Sequence, residues 1–216
     1  WFKTRCISKQ TLDDLRVTEG AEYMPQTSRS ENAIQFNYFI GDQLINVKYR
    51  DGRKNFKLYK GAEKVFYNIN SVVGYEWCVI VEGEMDVLAL HESGIKNVIS
   101  VPNGATLNSN NLDYLDNCID YLDDKTKIIL AVDADEAGQA LRQEFIRRLG
   151  AEVCYLVDFG GIKDANDYLI EKGKDALRSV IHGAKQVPLE GVSTLRDVEG
   201  ELVDFVNNGF KPGFQV

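Results

Sequence analysis

No stretch of this sequence approaches the run of about 20 apolar residues that a membrane-spanning helix requires. Its start, Trp1-Phe2-Lys3-Thr4-Arg5, leads into polar sequence and not into the apolar core of a secretion signal. Histidine is scarce, with only His91 and His182. That argues against a histidine-rich metal centre and against a Ser-His-Asp triad. Cysteine is sparse too: Cys6, Cys78, Cys118 and Cys154 stand far apart, with no Cys-x-x-Cys pair to build a zinc ribbon. Isolated cysteines without a secretion signal predict buried, inert thiols in a reducing cytoplasm. There is no internal repeat and no low-complexity tract. Basic excess is also lacking: the formal net charge is −8, awkward for a protein that touches nucleic acid.

What is present reads as globular: 44% of the 216 residues are hydrophobic and 27% charged, enough for one large domain or two small ones. The charge is unevenly placed. From Asp42 to Lys64, seven basic residues (Lys48, Arg50, Arg53, Lys54, Lys57, Lys60, Lys64) face three acidic ones, so this segment is +4 and the remainder −12. A basic front on an acidic body suits a protein that meets phosphates at one place and divalent cations at another. An ordinary solvated hairpin accounts for the segment equally well.

The pattern changes near Gly74. Before it, Ser8 is placed to cap a short helix through Leu12 and Leu15. Ile34, Phe36, Tyr38 and Ile40 alternate, Gly41-Asp42-Gln43 turns the chain, and Leu44 to Tyr49 returns it as a hairpin. Asp51-Gly52 is a second turn signal, leading into Asn55 to Tyr59. Residues 1–73 therefore predict a small, mostly antiparallel α+β subdomain. After it, apolar strand candidates at 77–81, 98–101, 128–132 and 153–157 alternate with helical spacing at 84–91, 112–122 and 137–149, the last stopped by Gly150. That alternation predicts an α/β fold with a mainly parallel, doubly wound sheet over 74–185. Residues 186–216, with an amphipathic stretch from Val192 to Asn208, read as a linker. The chain's two ends read as excised from something longer.

Ligands of an open parallel sheet bind beyond the carboxyl ends of its strands. Three acidic loops fall there: Glu82-Gly83-Glu84-Met85-Asp86, Asp133-Ala134-Asp135-Glu136, and Lys163-Asp164-Ala165-Asn166-Asp167. If their strands are neighbours, Glu82, Asp133, Asp135 and Asp164 meet at one sheet edge. Four carboxylates in one cleft require compensating positive charge, and hard oxygen ligands suit Mg²⁺ or Mn²⁺. The Asp-x-Asp spacing places two side chains alike on an extended segment, and Gly83 would allow a tight turn and the approach of a phosphate. An acidic residue at a helix start is often only a favourable dipole partner, which covers Glu84, Glu136 and Asp167. Asp86 reads equally as a metal ligand, a solvated helix residue or a supporting hydrogen-bond acceptor.

At these residues the sequence resembles the TOPRIM family, whose signature is a Glu-Gly after one strand and an Asp-x-Asp after a later one. It is most similar to primase-helicases of the phage and Twinkle kind, through Val81 to Asp86, Asn103-Gly104-Ala105, Asp133 to Gly138 and Lys163 to Asp167. The resemblance covers about residues 1–185, more loosely in the basic segment around Lys54 to Lys57. It implies a Rossmann-like parallel sheet flanked by helices and preceded by the small α+β subdomain. It implies that Glu82, Asp133 and Asp135 are catalytic and, with Asp164, hold Mg²⁺ or Mn²⁺. Lys48, Arg50, Lys54, Lys57 and Lys163 would contact nucleic acid or nucleotide phosphates, with Gly83, Asp86, Asn103, Gly104 and Asn166 in support. For Lys163 and Asn103-Gly104 an ordinary surface lysine and an ordinary turn explain the sequence as well.

The implied activity is RNA-primer synthesis on a single-stranded DNA template from ribonucleoside triphosphates. The resemblance also implies a helicase domain and ring assembly in the full-length chain, since no Walker A sequence occurs here. The alternatives are a non-catalytic DNA-binding and positioning module of a helicase, and a TOPRIM nuclease or topoisomerase. None of the ten tyrosines lies in a context that marks a topoisomerase nucleophile.

Overall fold

The computed structural model describes residues 1–103 and 112–188. After a 3-10 turn at Lys3–Arg5, Ser8 caps α1 (Lys9–Asp14), its Oγ accepting the N–H of Thr11 at 3.3 Å. Four antiparallel strands follow in the order β1 (Thr18–Met24), β2 (Arg29–Ile40), β3 (Gln43–Asp51) and β4 (Phe56–Leu58). The sequence predicts the last three. β1 escapes it because only Met24 of its seven residues is buried, so no apolar alternation marks it. The Asp51-Gly52 signal marks a real turn, but not a two-residue one. Asp51 Oδ1 accepts the N–H groups of Arg53 and Asn55, at 2.8 and 2.9 Å, and Oδ2 accepts from Asn55 Nδ2 at 2.8 Å. The carboxylate thus shapes the loop that carries Lys54, whose φ is +65°.

The second sheet contains β5 (Trp77–Val81), β6 (Val98–Ser100), β7 (Lys127–Ala131), β8 (Cys154–Leu156) and a short β9 (Lys185–Gln186). Its order is β6-β5-β7-β8-β9. The first four strands are parallel and β9 is an antiparallel edge. The helices are α2 (Glu84–Glu92), α3 (Asp113–Asp116), α4 (Glu136–Leu149), α5 (Ala165–Lys172) and α6 (Lys174–His182). The 112–122 spacing yields only the four-residue α3 and a 3-10 turn at Ile119–Tyr121, not one helix. α5 and α6 are helices that apolar spacing alone does not announce. Gly150, at φ +95°, ends α4 as predicted. The expected helical stretch 192–208 lies outside the described residues.

Seven of the nine residues of α2 are buried, and the helix packs on α1, α5, α6 and β6. Full burial of one of its large apolar side chains is worth about 1.5–3 kcal/mol. The two sheets share one core: Phe36 and Tyr38 of β2 meet Tyr67 edge-on, at 6.0 and 5.1 Å between ring centroids. A minor cluster of Met24, Ala33 and Tyr49 is separate from it. Cys78, Cys118 and Cys154 are buried, and burial pushes their thiols up to about 12, 11 and 11. Cys6 is exposed, contrary to the expectation of four buried thiols, because it follows a surface 3-10 turn.

Candidate functional site

The chain leaves β5 for β6 on one side and places β7 on the other, so the strand order reverses between β5 and β7. A cleft of about 560 Å³ opens at their carboxyl ends. One wall is acidic: Glu82, Glu84, Asp86, Asp133, Asp164 and Asp167. Trp1, Arg5, Lys48, Arg50, Lys54 and Phe56 also line it. Three loops from β5, β7 and β8 thus bring together carboxylates up to 85 positions apart in sequence, since each strand delivers its loop to the same sheet edge.

Glu82 and Asp133 follow adjacent parallel strands, paired through Val81 and Ala131. Asp133 is 8% exposed and accepts Lys163 Nζ at 2.9 Å. Asp164 is the N-cap of α5: its Oδ1 accepts the N–H of Asp167 at 2.8 Å, and its Oδ2 lies 3.6 Å from Lys163 Nζ. Asp86 is buried, and its Oδ1 accepts the N–H of Asn166 at 3.1 Å. Of the three readings open for Asp86, solvation is therefore out. Burial, then the charges of Asp164, Asp133 and Glu82, push the Asp86 carboxyl well above the usual carboxylate range, against the Asn166 N–H. Burial also raises Asp133, with Asp164 and Asp135 adding to it and Lys163 opposing. The ammonium of Lys163 is held charged by Asp133, Asp164 and Asp86.

Asp135 stands apart from this group. It is exposed, it does not line the cleft, and as N-cap of α4 its Oδ1 accepts the N–H of Gly138 at 2.9 Å. β7 ends at Ala131, so the two-residue alternation of a strand does not extend to it. Its charge reaches the site by raising Asp133. Gly83 lines the cleft, but at φ −131° and ψ 157° its backbone suits any residue, so the tight-turn argument does not hold. A Cβ there would lie 3.2 Å from Asp86 Oδ2, so the glycine leaves room for that carboxylate.

The basic candidates divide in the same way. Lys48 and Arg50, two apart on β3, face the cleft together. Lys48 Nζ is held by Glu84, at 2.8 and 3.0 Å, and Tyr38 donates its hydroxyl to the same carboxylate. Glu84 is thus more than a dipole partner of α2: at 4% exposed, it ties the two sheets. Lys57, next to Phe56 on β4, takes the opposite face and meets Glu22 and the carbonyl of Tyr23 outside the cleft. Among the described residues Arg50 and Lys54 form no ion pair. Asn103 is exposed and lines the cleft, and Gly104 lies outside the described residues. Asn166, 1% exposed, accepts Arg5 Nη1 on its Oδ1 at 2.9 Å and donates through Nδ2 to the Arg5 carbonyl at 3.1 Å.

Several cleft residues carry no mark in the sequence. Trp1 and Arg5 arrive because the N-terminal segment is clamped to α5 through Asn166 and Asp167. Gly138 matters through packing: a Cβ there would overlap the backbone of Asp133, 2.9 Å from its carbonyl carbon. Among the described residues no group of three or more acidic, histidine or cysteine side chains is arranged to hold a metal ion by itself. The carboxylates form an open wall instead. Buried carboxylates pushed toward protonation by one another are the environment that a divalent cation relieves. An open set also suits Mg²⁺, which keeps several water or substrate oxygens. The side chains of Glu82, Asp133 and Asp164 that line the cleft offer oxygen donors alone, the type a hard divalent cation takes.

Residues 79–169 match the family described as Toprim-like. Over 207 residues the chain is 36% identical to the primase homolog protein of Arabidopsis thaliana, covering 88% of this chain and 60% of that protein. Over 219 residues it is 32% identical to the chloroplastic/mitochondrial Twinkle homolog protein of the same plant, covering 94% of this chain and 30% of that one. The chain thus spans less than two thirds of the length of either curated relative. Its fold is similar to the crystal structure of the primase fragment of the bacteriophage T7 primase-helicase, with a TM-score of 0.70 and 24% identity over 83% of this chain and 72% of that fragment.

Proposed function

With a TOPRIM domain of the primase and Twinkle kind as the premise, we propose that this chain is the DNA primase core of a primase-helicase, joining ribonucleotides into primers on single-stranded DNA. The observation that carries this reading is the cleft: buried acidic loops from three strands lie with cationic side chains in one cavity. In the reaction, the 3′-hydroxyl of one ribonucleotide forms a bond to the α-phosphorus of the next triphosphate. Pyrophosphate leaves and the hydroxyl proton is released.

Glu82, Asp133 and Asp164 would hold Mg²⁺ or Mn²⁺, with Asp135 adding negative potential from the loop after β7. The ion, when bound, would stabilise charge developing on the attacking and leaving oxygens. Asp86 is buried beside them and accepts from Asn166, so it positions the α5 loop against α2. Lys163 neutralises Asp133 and Asp164, and its exposed side chain lies within reach of a phosphate entering the cleft. Arg50 and Lys54 contact template or triphosphate phosphates. Lys48 adds charge from its tie to Glu84, and Lys57 adds it from outside the cleft. In this reading residues 1–73 present the template, 74–185 form the metal-binding TOPRIM unit and 186–216 lead toward a helicase domain, with ring assembly a property of the whole protein.

The test is primer synthesis on single-stranded DNA with ribonucleoside triphosphates, with and without Mg²⁺ or Mn²⁺. Incorporation should require the metal, and Asp133→Ala should lower it about a hundredfold or more. Unchanged incorporation in Asp133→Ala would overturn the catalytic assignment. Salt-sensitive binding of single strands without incorporation would identify a positioning module, and metal-dependent nicking of supercoiled DNA a nuclease.

A further inference from the structure

We propose that Trp1 and Phe56 form a base-stacking platform in the cleft, built around the guanidinium of Arg50, that holds a nucleobase of a single strand or of a free nucleotide. This rests on the nucleic-acid reading above and adds the part of the ligand that the charges do not recognise.

Large aromatic side chains usually bury most of their area. Trp1 and Phe56 leave 48% and 45% of theirs exposed, yet both line the cleft. Between them stands Arg50, itself 8% exposed, with its Cζ 4.2 Å from the Trp1 ring centroid and 5.7 Å from that of Phe56. Arg5 lies 5.6 Å from the Trp1 ring, and Lys48 Nζ lies 5.4 Å from the Phe56 ring. Cations at this range are attracted to the ring faces and fix their orientation. The rings are therefore held in place while much of their surface stays open.

The neighbouring charges define the ligand. Arg50 and Lys54, which form no ion pair among the described residues, supply phosphate contacts beside the rings. The ligand that satisfies both is planar and apolar at one end and anionic at the other, which is a nucleotide unit. Stacking accepts every base, so the platform is indifferent to sequence.

The closing experiment measures binding of a fluorescent oligo(dT) by anisotropy over a range of salt, with no primer synthesis required. Trp1→Ala and Phe56→Ala should each weaken binding about tenfold while leaving the salt slope unchanged, because a ring neutralises no phosphate. Trp1→Phe should keep most of the affinity. Lys54→Ala is the electrostatic reference and should lower the slope by about one. An abasic oligonucleotide of the same length should bind the wild type and both ring variants alike.

The source of the base is read from Trp1 emission in a Trp77→Phe background. Quenching by oligo(dT) assigns the platform to the strand, quenching by ATP to the incoming nucleotide, and quenching by neither overturns it. Full oligo(dT) affinity in both alanine variants together with no quenching by ATP also overturns it, as does a loss that the abasic strand shares. In those cases the wild type still binds and the proposed function stands. If the wild type binds neither ligand, the platform and the nucleic-acid reading fall together.

Discussion

The pair formed by Lys48 and Glu84 shows how a residue near a site can serve the fold first. Both side chains are nearly sequestered, 11% and 4% exposed, and the Glu84 carboxylate also accepts the Tyr38 hydroxyl. Burial, then the Glu84 charge and hydrogen bond, push the Tyr38 hydroxyl far above its usual range, so it stays a donor. Removing one partner of such a pair strands a buried charge, at a cost of about 3–5 kcal/mol. Lys48→Met should therefore lower the urea unfolding midpoint by that equivalent. The double variant with Glu84→Gln should recover a large part of the loss, since no bare carboxylate is left. A single variant as stable as the wild type would show that the pair is not buried in solution.

At the scale of elements, the placement of Asp133 depends on how closely α4 approaches the end of β7. Gly138 lies in the first turn of α4, and its missing Cβ makes room for the Asp133 backbone. Gly138→Ala should destabilise the chain by about 1–3 kcal/mol, the usual range for overpacking. It should also reduce nucleotide incorporation by more than the lost folded fraction explains, because the displaced group carries the central carboxylate. Thermal unfolding and single-temperature activity on the same preparation check both parts. Activity that tracks the folded fraction alone would separate the helix approach from the site.

For the whole molecule, the question is what joins the N-terminal segment to the parallel-sheet unit. One answer is Glu92 at the end of α2. It accepts the N–H and Oγ of Ser8 at 3.0 and 2.7 Å and the hydroxyl of Thr11, and it pairs with Lys174 at the start of α6. Burial pushes its carboxyl up, but the hydrogen bonds from Lys174, Thr11 and Ser8 prevail and bring it down to about 2 from an ordinary 4.5. A carboxyl depressed in the folded state stabilises fully above its unfolded value, and the gain is lost as pH falls toward the folded one. Screened by solvent, this contribution is about 1–2 kcal/mol. Wild type should lose that much more stability than Glu92→Gln between about pH 4.5 and about 2. Parallel unfolding curves of the two proteins across that window would remove Glu92 as the tie.

The sequence by itself determined what is local or periodic. Four of the five strands of the parallel sheet, the cap at Ser8, the stop at Gly150 and the three acidic loops were legible, because strand burial, capping and strand-end chemistry act over a few neighbouring residues. It also held the small hairpin, but not β1, whose exposed residues carry no pattern. Only the tertiary structure decided which of the charges meet. It put Asp133 in the cleft and Asp135 on a helix cap two residues later. It gave Lys48 to Glu84 and Lys57 to Glu22, and it brought Trp1 and Arg5 to a loop more than 150 positions away. The reason is physical: a side chain's partner is fixed by strand order, register and close helix approach, none of which is encoded in the residues next to it.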